Sequence, residues 1–528
     1  MSTKADVAII NARVFTSDPA NPWAEAVAIK GNRILYVGSD DGARDFIDSG
    51  TRVIDGAGRT LTAGFIDSHF HLLWGAISMG GAQLYDARNL DDVRQILQTF
   101  ARENKTNPWV EGRGVKYDII TTRQELDAII TDKPVYINAY DGHTSWANTK
   151  ALELAGILYS GEAPGNGVIV RDENGLATGE LRETAMSLVE DLIPEPSDAR
   201  KRELLLRTIK DINAKGVTSV HNMNGDLQEL MVYAALEDAN QMTLRVYVPY
   251  RITPETTEDM LEEAVQMAQI QGEFARGGAV KFFMDGVWES YTALTVAPYA
   301  DNPGAQPEGI YSLEHFIRMA KRCDQMGMQI FVHCCGDGAV RRTLDGYAAI
   351  QQSNGKRDSR HRIEHIEVIH PDDLPRFGQL GVLPSMQTSH APFSLGEGDV
   401  WPSRVGPQRW PLSFAWRTIK EAGLPIAFGS DWPVAPYDVM LNLHVAMNRE
   451  KWSPDDPDQT LTLEECIIGY TRDAAYAEFK EHEKGQIKAG YLADLVLFSH
   501  DLFALDKKDI LQAKPVMTMV DGRVVFEA

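Results

Sequence analysis

Eight short runs of apolar, β-branched and aromatic residues recur along this chain, and stretches with helical amphipathic spacing lie between them. The runs are FIDSHFHL (65–72), GVTSVHNM (216–223), LRVYVPY (244–250), AVKFFMDG (279–286), MQIFVHCC (328–335), HRIEHIEVI (361–369), GVLPSMQTS (381–389) and PIAFGSDW (425–432). Strands alternating with helices build parallel sheets, and eight is the number of parallel strands that closes a barrel. The expected fold class is therefore α/β, with a (β/α)8 TIM barrel at its centre.

At 528 residues the chain is too long for one average domain. The first ~60 residues read as short alternating strands broken by turns, VAIINARVFT, EAVAIKGNRILYVGS and RVIDGAGRTLTAG. The pattern returns at the other end in ADLVLFS and PVMTMVDGRVVFE, where Asp521-Gly522 is a hairpin turn signal. Neither piece is a complete domain by itself. Residues 1–60 and 480–528 are therefore expected to pair into a composite β-sandwich, with the barrel over 61–479. The gap after the first barrel run, about 75–215, is far longer than the others and holds strand-like pieces of its own, WVEGRGVKYD and PVYINAYDGH. It reads as an insertion after barrel strand 1, on the face where barrel enzymes carry their sites.

A net charge of −23 leaves no basic surface to track a phosphate backbone, which argues against a nucleic-acid partner. No apolar run approaches the ~20 residues of a membrane helix. The opening MSTKADVAII lacks a secretory pattern, so cytoplasm is the expected location. Cys323, Cys334, Cys335 and Cys466 are too few to staple such a chain and show no CxxC spacing, so reduced thiols are expected.

His69 and His71 are two apart on a strand, so both imidazoles point to one side and can grip one ion. Asp67 shares that face and could ligate or orient. His333 and His365 close their apolar runs, where strands meet loops, and Asp431 follows PIAFGS at the end of the last run. Each could be structural: a core histidine satisfied by hydrogen bonds, or an aspartate capping a helix. Lys281 inside VKFF is costly to bury unless paired or chemically changed.

Taken in order, HxH on strand 1, Lys on strand 4, His on strands 5 and 6 and Asp on strand 8, these residues resemble the amidohydrolase superfamily. GFIDSHFHL, YINAYDGHTSWANTKAL, VKFFMDG, RIEHIEVI and SDWPV are similar to its YtcJ-like branch, which includes N-substituted formamide deformylases. In two places the chain departs from that pattern. Gly338 stands where the branch has a basic residue, and Cys334-Cys335 follow His333; thiolates are good soft ligands, although strand alternation turns Cys334 away from the face of His333.

The resemblance implies two divalent ions, zinc first among the candidates, with Lys281 carboxylated by CO2 as an anionic bridge. His69, His71 and Asp431 would hold one ion, His333 and His365 the other, and Asp431 would act as general base and acid. The implied reaction is hydrolysis of a carbon–nitrogen bond in a small amide, N-formyl, N-acyl or cyclic amide compound by metal-activated hydroxide. Deamination of a ring amine is the main alternative, and a noncatalytic binding protein on the same scaffold is another. His143, Tyr117, Trp74 and Trp288 are candidate substrate contacts, although aromatics in this number more often serve plain packing and His143 could merely brace the insertion. Asp285 could orient a ligand or cap a loop. The expected partner is a small-molecule substrate, and a homo-oligomer is compatible with this reading.

Overall fold

The computed structural model describes every residue except 1, 2, 141, 143, 165, 166 and 396–399. The chain divides into two compact units, Met1–His71 with Thr208–Ala528, and Leu72–Arg207.

The larger unit contains a sheet of eight strands, all parallel, in the order in which they occur along the chain. They are Phe65–Phe70, Val217–Asn222, Arg245–Arg251, Ala275–Phe283, Gln329–Cys334, Arg362–His365, Leu383–Gln387 and Ala427–Gly429, hereafter barrel strands 1 to 8. A parallel bridge between Phe70 and Trp432 returns the last strand to the first. Parallel strands covered on both faces read as near-continuous apolar runs, which is why all eight stand out in the sequence. Inside the barrel, Met223, Tyr247, Ala279 and Phe331 form a buried apolar cluster. The site lies above it, because the register pairs Phe283 with His333, and Cys334 with His365, at the strand ends.

Barrel strand 6 is short for its apolar run because His365 and Ile366 take φ of 72° and 49°, left-handed values that end an extended segment. Asp431, just past barrel strand 8, has φ 63°. Such conformations are costly for non-glycine residues and persist where packing over-determines them, most often at functional sites. Close approach also fixes Gly429: a Cβ there would run into the backbone nitrogen of His69, so only glycine lets barrel strands 8 and 1 meet.

Two further sheets belong to this unit. One has four strands, in the order Arg33–Gly38, Ala26–Lys30, Val7–Ile10 and Arg52–Asp55. The other mixes both ends of the chain: Thr60–Ala63 pairs with Arg13–Phe15 on one side and with Leu495–Phe498 on the other, and Pro515–Val520 and Arg523–Glu527 extend it. Ile9, Val14, Val27, Ile29 and Leu61 share a buried cluster with Leu495, Leu497, Met517 and Met519. The hairpin turns at Asp521 (φ 54°) and Gly522 (φ 71°), the positive pair that two-residue hairpins favour.

The unit Leu72–Arg207 holds a six-stranded sheet in the order Val168–Arg171, Ala177–Arg182, Thr144–Ala147, Val135–Ala139, Val110–Val115 and Ala82–Gln83. One buried cluster includes Leu84, Leu97, Leu126 and Ile137, and another Tyr136, Leu152, Leu181 and Val189. Alternate residues of one strand, Tyr136 and Ile137, thus serve opposite faces. Among the described residues, no helix is long and apolar enough to cross a membrane.

Candidate metal centre

His69 and His71 leave barrel strand 1 on the same side, as their spacing requires, and both Nε2 atoms face Oδ1 of Asp431, at 3.3 and 3.0 Å. All three residues are buried. Burial disfavours charge on Asp431, but the His69 and His71 rings outweigh it and hold the carboxyl well below the usual range. The carboxylate is therefore ionised at neutral pH.

The tautomer of His69 is set from behind. Its Nδ1 lies 2.8 Å from Oε2 of Glu364 on barrel strand 6. Burial raises the Glu364 pKa, yet the Arg362 guanidinium and the His69 ring bring it down to about 2. An ionised carboxylate can only accept, so Nδ1 carries the proton and Nε2 keeps its lone pair for the site. Arg362, itself fully buried, pairs with Glu364 at 2.9 Å and donates to Ser68 O (2.6 Å), Ser385 Oγ (2.8 Å) and His221 Nδ1 (2.7 Å). Arg362 and Glu364 share one strand face two residues apart, a signal present in RIEHIE that the sequence reading did not use. Asp67 accepts from Ser430 N (2.9 Å) and His69 N (3.2 Å), and burial lifts its pKa to about 6. It braces the backbone of the two segments that carry His69 and Asp431.

His365 lies against two neighbours, with ring centroids 4.6 Å from His69 and 4.4 Å from His333. His333 differs from the other imidazoles: its Nε2 is 3.2 Å from Gly286 O and 3.4 Å from Cys335 Sγ. Burial and the Lys281 charge push its pKa down to about 3. Cys334 turns the other way, its Sγ 3.2 Å from Thr343 Oγ1, as strand alternation requires. Lys281 is wholly buried with no hydrogen-bond partner at Nζ among the described residues, and Nζ sits 4.0 Å from the Phe283 ring centroid. Burial lowers its pKa to about 8 against the pull of Glu364 and Asp431.

The structure also brings in His390, which sequence reasoning missed. It sits on the 3-10 turn Thr388–His390 directly after barrel strand 7, one residue beyond the run GVLPSMQTS. Its Nε2 is 3.7 Å from Asp431 Oδ2. Two sets of ligand atoms, His69–His71–Asp431 and His365–His390–Asp431, each lie within 4.8 Å of one another. Imidazoles and a carboxylate converging in this way, all buried except the partly exposed His390, are a donor set that suits zinc and its neighbours.

The remaining expectations fare differently. Asp285 caps a loop, its carboxylate accepting from Leu294 N (2.9 Å), Gly336 N (2.9 Å) and Cys335 N (3.1 Å). Gly338 lies so close to the backbone of Leu294 and Thr295 that a Cβ would stand 2.8 Å from Thr295 C, so no side chain fits where the branch has a basic one. Trp288 is fully buried between Tyr299 and Arg409, and its indole N–H donates to Cys335 O at 3.1 Å; the structure gives it a packing role and leaves no ring face for a substrate. Trp74 and Tyr117 belong to the unit Leu72–Arg207, where Trp74 is half exposed and the Tyr117 hydroxyl donates to Thr144 Oγ1 at 2.9 Å. His143 lies outside the described residues.

An eight-stranded parallel barrel with imidazoles and a carboxylate gathered at its strand ends defines a class of metal-centred barrel proteins. The chain matches the amidohydrolase family over residues 52–526, and it belongs to that family. It is 31% identical over 542 residues to Protein LONG AFTER FAR-RED 3 of Arabidopsis thaliana, covering 99% of this chain and 92% of that one. It is 27% identical to N-substituted formamide deformylase of Arthrobacter pascens, over 100% of this chain and 99% of the other. Among solved structures it is similar to an uncharacterised metal-dependent hydrolase from Pyrococcus horikoshii OT3, with TM-score 0.78, 25% identity, and 95% and 99% of the two chains covered.

Proposed function

We propose that this protein is a metal-dependent hydrolase that cleaves a carbon–nitrogen bond in a small molecule, with an N-formyl or N-acyl amine as the leading substrate class. The observation that carries the reading is Asp431, whose two oxygens face two sets of imidazoles, His69 with His71 and His365 with the partly exposed His390. End-to-end similarity to a formamide deformylase supports the choice of bond.

His69, His71 and Asp431 would hold one divalent ion, zinc by preference, and His365 belongs to the second position. Divalent ions at such a site lower the pKa of water toward ~7 and polarise the attacked carbonyl. Glu364 keeps His69 in the tautomer that presents Nε2. Asp431, ionised at neutral pH, can take a proton from the attacking water and deliver it to the departing amine. Lys281 is suited to CO2: a buried amine with pKa about 8 and no hydrogen-bond partner at Nζ among the described residues has a reactive neutral fraction, and attack of that neutral amine on CO2 forms the N–C bond of a carbamate anion and releases one proton, the ammonium having already given up another. A buried lysine of this kind also favours amide cleavage over the single-metal deamination of a ring amine.

The test is a screen of metal-loaded protein against N-formyl amines, N-acyl amino acids and cyclic amides. Release of free amine or acid that stops on chelation supports the reading, with one to two divalent ions per chain by elemental analysis. Full activity in metal-free protein would sink it, and release of ammonia from ring amines would favour deamination. Asp431→Asn should lower kcat on the order of a hundredfold or more, the usual scale of general acid–base contributions.

A further inference from the structure

The ligand order that the resemblance implies has imidazoles on strands 1, 5 and 6 and none on barrel strand 7. Here the end of barrel strand 7 contributes His390. We infer that His390 is a ligand of the second divalent ion, completing a His365–His390–Asp431 set. This assignment rests on the two-ion hydrolase reading above.

Asp431 divides its oxygens: Oδ1 serves His69 and His71, while Oδ2 faces Nε2 of His390 at 3.7 Å. Two nitrogens or oxygens bound to one tetrahedral ion at ~2.0–2.2 Å stand roughly 3–3.7 Å apart, so this separation already has the span of a ligand pair. The His365 and His390 rings lie nearly parallel, 15° apart with centroids at 5.7 Å. Nε2 of His390 makes no hydrogen bond among the described residues. His390 is partly exposed as a residue, but this atom is buried, and a buried polar atom that served packing alone would have found a partner.

Behind the ring, Nδ1 lies 3.9 Å from Oε1 of Glu367, whose other oxygen accepts from the Trp401 indole at 2.7 Å. A carboxyl group behind a ligating imidazole is the usual outer partner at metal sites. His333 is the competing candidate for the second ion, but its Nε2 is directed at the Gly286 carbonyl, and it joins neither converging set.

The direct test is anomalous diffraction from crystals of the full chain grown with cobalt(II). The expected result is two cobalt positions, one of them with Nε2 of His390 at roughly 2.0–2.3 Å. An ion bound to His365 with His390 beyond about 3 Å, outside the coordination range, overturns the assignment while leaving the hydrolase reading intact. Wild-type protein that takes up no cobalt overturns both. In solution, His390→Ala should keep the first equivalent of cobalt and bind the second at least about a hundredfold more weakly, the upper end of what loss of an outer partner alone costs. Wild-type stoichiometry and affinity in His390→Ala would also overturn it. The crystal readout needs no variant, so a folding defect in His390→Ala leaves the assignment open to disproof.

Discussion

The backbone N–H of Asp431 donates to the carbonyl oxygen of His69 at 2.7 Å. This bond, with that of His71 N to Trp432 O at 2.8 Å, closes the barrel between its last strand and its first. Closure of the fold and assembly of the His69–His71–Asp431 group are therefore one contact, and Gly429 makes it possible by admitting His69 against its bare Cα.

Glu364→Gln should be strongly destabilising. It leaves the Arg362 guanidinium buried without its counter-charge, a change that costs about 3–5 kcal/mol when one partner of a buried pair is removed. It also frees His69 to take the wrong tautomer, so metal affinity should fall together with thermal stability. The double variant Arg362→Met/Glu364→Gln should recover part of the stability and none of the metal affinity. Equal recovery of both in a double-mutant cycle would show that Glu364 does not orient His69.

Lys281 should carry CO2 in metal-loaded protein, seen as extra density on Nζ. Lys281→Ala should lose most activity and at least one ion, and a short carboxylate such as acetate should restore part of it. Lys281→Arg should not help, because guanidinium stays charged at any accessible pH. Unmodified Lys281 in a fully metal-loaded, active crystal would leave a site built on imidazoles and Asp431 alone.

Much of this arrangement was readable from residues alone, for a physical reason. Strands buried on both faces are continuous apolar runs, so all eight barrel strands, and with them His69, His71, Lys281, His333, His365 and Asp431, could be located before any coordinates. What escaped reading depends on features that apolar runs do not report. His390 sits on a turn just past its run, where nothing but three-dimensional proximity links it to Asp431. The run HRIEHIEVI overstated barrel strand 6 because a left-handed backbone at His365 and Ile366 leaves no trace in hydropathy. Trp288 has the composition of a pocket wall, and its enclosure by Tyr299 and Arg409 exists only after folding.

Deleting residues 490–528 should give insoluble or poorly folded protein. It removes Leu495, Leu497, Met517 and Met519 from a shared buried cluster and exposes the edge of Thr60–Ala63. It also strips Asp494 from Arg245, a buried pair at 2.7 Å that fixes the terminal sheet to barrel strand 3. Solubility and circular dichroism of the truncated chain check this, and a soluble, folded product would show that the C-terminal strands are dispensable.

Asp324 should contribute acid-sensitive stability. Burial opposes its charge, but His361, Asn354 and Arg357 hold its pKa at about 2. An unfolded aspartate titrates near ~3.9. A depressed folded pKa gives stabilisation that is fully present above about pH 4 and is lost as pH falls toward about 2. The Tm difference between wild type and Asp324→Asn should therefore be largest at neutral pH and shrink across that window. A difference that does not change with pH would assign the effect to packing instead.

The sheet that joins Thr60–Ala63 to Leu495–Phe498 sets a schedule for synthesis. When Thr60–Ala63 leaves the ribosome, the strand that will cover its edge has not been translated, and the entire barrel must be made first. At roughly 5–20 residues per second the wait is on the order of tens of seconds. Throughout that interval Val14, Leu61 and Ala63 face water or a chaperone, so the nascent N-terminal strands should be the stretch most prone to aggregation during expression.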